Sequence, residues 1–382
     1  MRLSDCHNID DFRRLARQRL PWPVFDYIDG AADDEITKTR NTSAFDEVDL
    51  VPDVLAGVGE IDTGCTIMGR RSALPLMLSP TALQRAFHKD GERAVARAAA
   101  KFGIWFGISS LATHSIEEIA ALTNGPKLFQ LYVHKDRGLN ASMLERCREA
   151  QFDALALTVD TIVSGKRERC LRSGFTTPPR FSASSLWSYA TRPRWTLDYV
   201  FGPKFRLPNL DGHVQEGSGK SVSIQDYFNT MLDTNMDWDT AARIRQDWGG
   251  TFALKGVMSA ADARRAVEIG ANAIWISNHG GRQLDGSRAP FDQLREIVDA
   301  VGGEIEIVLD GGVRRGTHAL KGLAAGATAA SGGRLYLYAL AAAGQEGVER
   351  AIEILKEEIE RGMRLMGVTS IDQLTADRLR WR

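Results

Sequence analysis

The sequence predicts an α/β chain folded as a (β/α)8 TIM barrel, with an insertion after the fourth strand and an N-terminal helical segment. Three observations carry that expectation. Eight short apolar runs recur along the chain, each ending in polar or glycine residues, as strands buried on both faces of a parallel sheet do. Segments with apolar residues three and four apart alternate with those runs. The strand-to-strand spacing is about 25 to 35 residues except for one interval of about 90, which fits a barrel better than a doubly wound sheet of two halves. The 382 residues suit one such barrel with an insertion, and 1–382 is read as a single domain.

The strands are expected, in order, at 75–80 (PLMLSP), 104–110 (IWFGISS), 127–132 (KLFQLY) and 154–160 (ALALTVD), then at 252–256 (FALKG), 273–279 (AIWISNH), 306–312 (EIVLDGG) and 327–334 (ATAASGGR). Helical periodicity places helices at 91–102, 115–122, 139–150, 260–269, 290–301 and 317–325, with a closing helix and extension over 341–366. The long interval holds a helix plus an insertion at about 175–233. There Trp187, Tyr189, Trp195, Tyr199 and Phe201 sit among Arg180, Arg192, Arg194, Lys204 and Arg206. That mixture reads either as a lid or oligomer contact, or as an interfacial patch for anionic headgroups. Within it, VQEGSGKS at 214–221 misses the P-loop pattern, which needs glycine where Val214 stands and a strand before it, so it reads as a loop.

Composition narrows the function classes. The net charge of -1 argues against a nucleic-acid binder, because displacing counterions from phosphates needs a basic surface. Cys6, Cys65, Cys147 and Cys170 are scattered without a C-x-x-C pair, so neither a disulfide framework nor a metal site is expected. The first residues contain no apolar signal-peptide core and no stretch approaches the ~18 apolar residues of a spanning helix. A cytoplasmic location, or a peripheral one on the inner face of the cytoplasmic membrane, is expected.

In this fold the working residues come from the C-terminal ends of the strands. The ends, read in order, are Ser79 to Ala82 with Pro80 and Thr81 between, Ser109, Gln130 with Tyr132, Thr158 with Asp160, Lys255, Ser277 with His279, Asp310 with Gly311 and Gly312, and Gly333 with Arg334. Loops after the seventh and eighth strands often hold a phosphate. Glycines there let backbone N–H groups approach an anion, and Arg314 and Arg334 add charge, so a bound phosphate group is implied. The segment 277–285 (SNHGGRQLD) joins an imidazole that can take a proton to a guanidinium that can grip a carboxylate in two parallel hydrogen bonds. A structural histidine on a capped loop is the plainer reading. Against it, Asp160, Arg167, Lys255 and Arg282 all converge near His279, and such convergence without function costs desolvation energy.

These residues resemble the FMN-dependent L-2-hydroxy acid oxidising enzymes, a family that includes glycolate oxidase, L-lactate dehydrogenases and mandelate dehydrogenase. The landmarks are FDYIDGAADDE at 25–35, SPTALQ at 79–84, FQLYVHKD at 129–136, LTVDT at 157–161, LKGV at 254–257, SNHGGRQLDG at 277–286 and LDGGVRRG at 309–316. The resemblance implies FMN lined by Pro80, Thr81, Ala82, Ser109, Gln130, Tyr132, Thr158 and Ser277, with Lys255 beside the ring. It implies that Asp310, Gly311, Gly312, Val313 and Arg314 hold the ribityl chain and phosphate, together with Gly333 and Arg334. Tyr27, Tyr132, Arg167 and Arg282 would bind a small L-2-hydroxy acid, His279 would be the base, and Asp160 would orient it. The electrons would pass to a quinone or cytochrome; alternatives are an oxidase that uses O2 and, more remotely, a flavin-binding isomerase. A homo-oligomer, a tetramer, is also expected.

Two positions depart from the family pattern. Leu111 stands where glycolate oxidase-like members carry tryptophan, which bears on pocket width, and Ser331 and Leu335 flank an intact Gly333-Arg334 pair in an altered setting. The insertion and the stretch MGVTSIDQLTADRL at 366–379 look closer to bacterial L-lactate dehydrogenases.

Overall fold

The computed structural model describes residues 1–175, 183–210 and 230–382. The 214–221 segment and Arg180 lie outside the described residues. Three helices come first: α1 (Ile9–Arg19), α2 (Trp22–Asp29) and α3 (Ile36–Ser43). Asn8 caps α1 by accepting from the Asp11 N–H at 2.9 Å, and acidic Asp10 and Asp11 in the first turn oppose basic Arg17 and Arg19 in the last. Both ends thus suit the helix dipole.

The barrel follows. Its strands are β1 (Leu76–Thr81), β2 (Trp105–Ser109), β3 (Lys127–Leu131), β4 (Ala154–Thr158), β5 (Thr251–Lys255), β6 (Ala273–Ile276), β7 (Glu306–Asp310) and β8 (Ala329–Gly332). All neighbours pair in parallel and β8 closes onto β1. The intervening helices are α4 (Gly91–Lys101), α5 (Ile116–Ala120), α6 (Arg137–Glu149), α7 (Glu168–Ser173), α8 (Ala183–Ala190), α9 (Pro193–Phe201), α10 (Trp238–Trp248), α11 (Ala260–Glu268), α12 (Pro290–Val301) and α13 (Gly316–Ala324), and α14 (Arg334–Met366) follows β8. The expected barrel is therefore present, insertion and N-terminal helices included.

Several strands are shorter than expected, and two of the differences have a clear physical reason. β6 ends at Ile276, because His279 adopts a left-handed φ of 58° that no strand continues through. β8 ends at Gly332, and Arg334 opens α14 seven residues before the expected closing helix. Leu335, Tyr336, Leu337 and Tyr338 are all buried, so this turn lacks the polar face that marks a helix in sequence. The last helix of the long interval, directly before β5, is α10, capped by Asp237 and ended by Gly249 at φ 70°.

Inside the barrel, Trp105 and Trp275 fill the lumen beside Met77, Leu128 and Val308, and alanines at 154, 156, 253, 273 and 329 make room for the indoles. A hairpin of strands Cys65–Ile67 and Arg70–Ser72 seals the N-terminal end by pushing Ile67 and Met68 into the same cluster. At the opposite end the N-terminal segment crosses the mouth, where Ala32 N–H donates to the Gly281 carbonyl and Asp33 N–H to the Lys166 carbonyl. Buried Asp29 anchors that segment through Arg13, Arg169 and the Tyr338 hydroxyl.

Candidate active site

The mouth contains a cleft of about 900 Å³ including its open entrance. At its centre is His279. Its Nδ1 lies 3.1 Å from Asp160 Oδ1, and Thr161 Oγ1 donates to the same carboxylate at 2.9 Å. A carboxylate only accepts, so Nδ1 carries a hydrogen, and in the neutral ring the lone pair is then on Nε2. Nε2 faces the Tyr132 hydroxyl at 3.4 Å. Burial pushes the Asp160 carboxyl up, but the charge and hydrogen bond of His279, with the Lys255 charge and the Thr161 hydrogen bond, together hold it below the ordinary carboxylate value. Among the described residues Asp160 Oδ2 has no hydrogen-bond partner.

The left-handed turn at His279 is held from behind. Asn278 and Asn41 exchange side-chain hydrogen bonds at 2.8 and 2.7 Å, and Asn278 also accepts from Gly281 N–H. Asp285 then accepts from the backbone N–H groups of Asp34, Ile36 and Thr37 at the start of α3.

Beside His279 two guanidiniums face one phenol ring: Arg167 lies 5.9 Å and Arg282 4.8 Å from the Tyr27 centroid. Arg282 uses one nitrogen on the Tyr27 and Gly30 carbonyls, leaving three of its five N–H donors. Arg167 is buried with Nε unpartnered, and burial followed by the Arg282 charge lowers its pKa. Among the described residues no carboxylate pairs with either. Two like charges without a counter-ion in a polar cleft form a site for an anion.

A second cationic corner closes the other side of the cleft. Arg334 is buried and donates to the carbonyls of Ile28, Gly280 and Gly30, which leaves two donors; burial pulls its pKa down to about 10. Arg314 also lines the cleft. Gly312 has φ 75°, and a Cβ there would sit 1.8 Å from the Asn41 carbonyl oxygen, so only glycine lets the backbone pass.

The model of the FMN-dependent dehydrogenase family matches residues 16–381. The chain belongs to that family. It is 40% identical to an L-lactate dehydrogenase from Alcaligenes faecalis over 97% of each chain, and 39% identical to an L-lactate oxidase from Nostoc sp., again over 97% of each. Its fold is similar to that of the monotopic membrane protein (S)-mandelate dehydrogenase, with a TM-score of 0.92, 34% identity, and coverage of 99% of this chain and 100% of that one.

FMN is the cofactor of the family, and the residues present fit it. Gln130 Nε2 and Thr158 Oγ1, at the ends of β3 and β4, are buried without partners among the described residues. Each such atom costs about 1–3 kcal/mol unless something pairs with it, and a flavin ring offers the heteroatoms to do so. Ser109 donates to Gln130 Oε1 at 2.8 Å and so presents the amide N–H outward. Lys255 forms an ion pair with Asp310 at 2.5 Å and donates to Ser277 at 2.9 Å, while Ser79 and Ser277 also donate to Asp310. Burial raises the Asp310 pKa, but the Lys255 charge together with the hydrogen bonds from Lys255, Ser79 and Ser277 turns the net shift downward.

Of the expected residues, the cleft is lined by Tyr27, Pro80, Thr81, Ala82, Tyr132, Arg167, Lys255, His279, Arg282, Asp310, Gly311, Gly312, Arg314, Gly333 and Arg334. Asp160, Ser277, Ser109, Gln130 and Thr158 stand behind or beside it, and Val313 is packed in the core. Sequence reasoning missed the clamp of Asn41, Asn278 and Asp285, and Phe87, which stacks on Tyr27 at 6.1 Å. Asn278 and Asp285 lay inside the quoted 277–286 motif; nothing in sequence pointed to Asn41 or Phe87.

Proposed function

We propose that this FMN-dependent dehydrogenase oxidises a small L-2-hydroxy acid of the L-lactate type to its 2-oxo acid. The observation that carries the reading is the Asp160-His279 pair beside two guanidiniums that lack a counter-ion. Arg282 and Arg167 would hold the substrate carboxylate, Arg282 in a planar fork, and Tyr27 and Tyr132 would bind its carboxylate or hydroxyl oxygens. His279 Nε2 would take the proton, and Asp160 would stabilise the imidazolium formed and keep the ring oriented. FMN, when bound, supplies the two-electron sink. For that group, Pro80 to Ala82, Ser109, Gln130, Tyr132, Thr158, Ser277 and Lys255 are assigned to the ring, and Asp310 to Arg314 with Gly333 and Arg334 to the ribityl phosphate. The similarity to a lactate dehydrogenase supports the substrate class.

The test is anaerobic mixing of the FMN-loaded protein with L-lactate, D-lactate and larger 2-hydroxy acids. Bleaching of the flavin absorbance by L-acids alone is expected; no bleaching by any of them rejects the proposal. Electrons then pass to a quinone or cytochrome. The similarity to a lactate oxidase favours a second reading in which O2 reoxidises the flavin. Air admitted to the bleached enzyme decides between them: colour that returns as fast as turnover selects the oxidase.

Peripheral membrane contact at the inner face is part of the same proposal. No helix among the described residues is long and apolar enough to cross a membrane. Leu186 and Trp187 of α8, and Leu197, Val200 and Phe201 of α9, are exposed in the insertion, next to Arg192, Arg194 and Lys204. The homotetramer expected from the resemblance is tested by light scattering.

A further inference from the structure

A second cavity, about 1,100 Å³ including its mouth, lies outside the active-site cleft, between α9 and the kink of α14. Phe87 lines both spaces. It is 2% exposed and its ring stacks on Tyr27 of the active site, so one aromatic side chain forms a common wall. The far wall is built of planar groups: Trp195 stacks on Tyr199 with centroids 5.0 Å apart and an interplanar angle of 11°, and Phe205 lies alongside. Trp195 is held in place by its indole N–H, which donates to the Ala86 carbonyl at 2.9 Å. Cationic Arg85 and Lys89 stand on the same lining, Arg85 donating to the Pro203 and Lys204 carbonyls and Lys89 paired with Asp198 at 3.6 Å. The kink that shapes the cavity's inner edge comes from Ala343 and Gly344; a Cβ on Gly344, at φ 63°, would sit 2.6 Å from the His88 ring.

We infer that this cavity binds the oxidising substrate, and that it is built for a lipophilic quinone. The inference rests on the proposed dehydrogenase function and gives its electron acceptor a place. A quinone ring is flat and apolar with an oxygen at each end, which matches stacked aromatics flanked by cations. As the ring is reduced its oxygens gain negative charge, which Arg85 and Lys89 would stabilise. The balance closes: the hydroxy acid loses two electrons and two protons, the quinone gains two of each and leaves as the quinol, and protons exchange through water. Hydroxy acid and quinone thereby occupy different sites on either side of Phe87, so both can be bound together.

The test uses the FMN-loaded enzyme and decylubiquinone. Equilibrium dialysis of the oxidised enzyme should show one decylubiquinone bound, unaffected by saturating pyruvate, which fills the hydroxy-acid site. Trp195→Leu should weaken that binding and raise the quinone KM about tenfold, Trp195→Phe should stay within about threefold of wild type, and Lys89→Glu should weaken it as well. In all three variants anaerobic bleaching by L-lactate should keep its wild-type rate. Competition by pyruvate, or unchanged quinone binding in both Trp195→Leu and Lys89→Glu, overturns the inference, and the pyruvate experiment stands even if a variant does not fold. Failure of L-lactate to bleach the flavin would instead reject the proposed function, while the dialysis result would still report on the cavity.

Discussion

Strand β7 carries a carboxylate at each end, and the two ends of the barrel treat them in opposite ways. At the floor, Glu306 accepts one backbone hydrogen bond, from Met68 N–H at 2.7 Å, and burial raises its pKa. At the mouth, Asp310 is buried more deeply, yet Lys255, Ser79 and Ser277 converge on it and its pKa falls. The surroundings follow the same division. The floor is a largely apolar plug of Ile67, Met68, Trp105 and Trp275, whose two indole N–H groups are its unpartnered polar atoms among the described residues, whereas the mouth gathers two guanidiniums without a carboxylate and unpartnered atoms on Gln130, Thr158, Asp160 and Arg167. The floor packs apolar side chains against one another, and the mouth leaves polar groups facing an open cleft.

The largest expected effect tests the mouth. His279→Gln should keep FMN bound, by absorbance, while the rate of anaerobic reduction by L-lactate falls about three or more orders of magnitude. A variant reduced at near wild-type speed would remove His279 from the chemistry and blur the division. Next comes the floor: Met77→Ala empties space in the cluster that holds the two indoles and should lower unfolding free energy by about 2–5 kcal/mol in denaturant titration. The reduction rate of the folded fraction should not change; a parallel loss of activity would show the two ends to be coupled.

A smaller effect is expected at Arg282→Lys, which retains the charge but loses the fork. kcat/KM for L-lactate should fall roughly ten- to a hundredfold, the scale of one charged hydrogen bond at ~1.5–3 kcal/mol, with thermal stability little altered. The smallest effect concerns pH. For Glu306 the folded group binds its proton more readily than the unfolded one near pH ~4.3, so its ionisation costs stability at neutral pH and the cost disappears as pH falls through the raised folded value. Glu306→Gln should therefore raise Tm slightly at pH 7 and not at pH 4. For Asp310 the order reverses: its contribution is full above the unfolded value of ~3.9 and declines as pH falls through the lowered folded one. Asp310→Asn should accordingly lower Tm at pH 7, and by less as the medium is acidified. Equal pH profiles for the two variants would break the comparison.

Most of the mouth was legible in sequence because catalytic residues of a barrel cluster at strand ends, where polar letters interrupt apolar runs, as in the 277–285 segment. The supporting clamp was less so. Asn41 and Asn278 are 237 residues apart, and an asparagine on a short amphipathic helix carries no mark of its partner. Arg334 was assigned to a strand end because Leu335 to Tyr338 show no helical periodicity; that turn is buried all round. Arg334 also has more to do than the phosphate reading implied, since three of its N–H groups pin the carbonyls of Ile28, Gly30 and Gly280 over the cleft.

The amino-acid order alone determined the alternation of strands and helices, the identity of the imidazole and arginines, and the membership that follows from seven local motifs, since each depends on neighbours within a turn or a strand. Only the tertiary structure decided which donors remain unpaired, which carboxylate is held down and which pushed up, and that Phe87 divides two cavities. Those properties are set by distances and desolvation among groups brought together across hundreds of residues, and no local pattern encodes them.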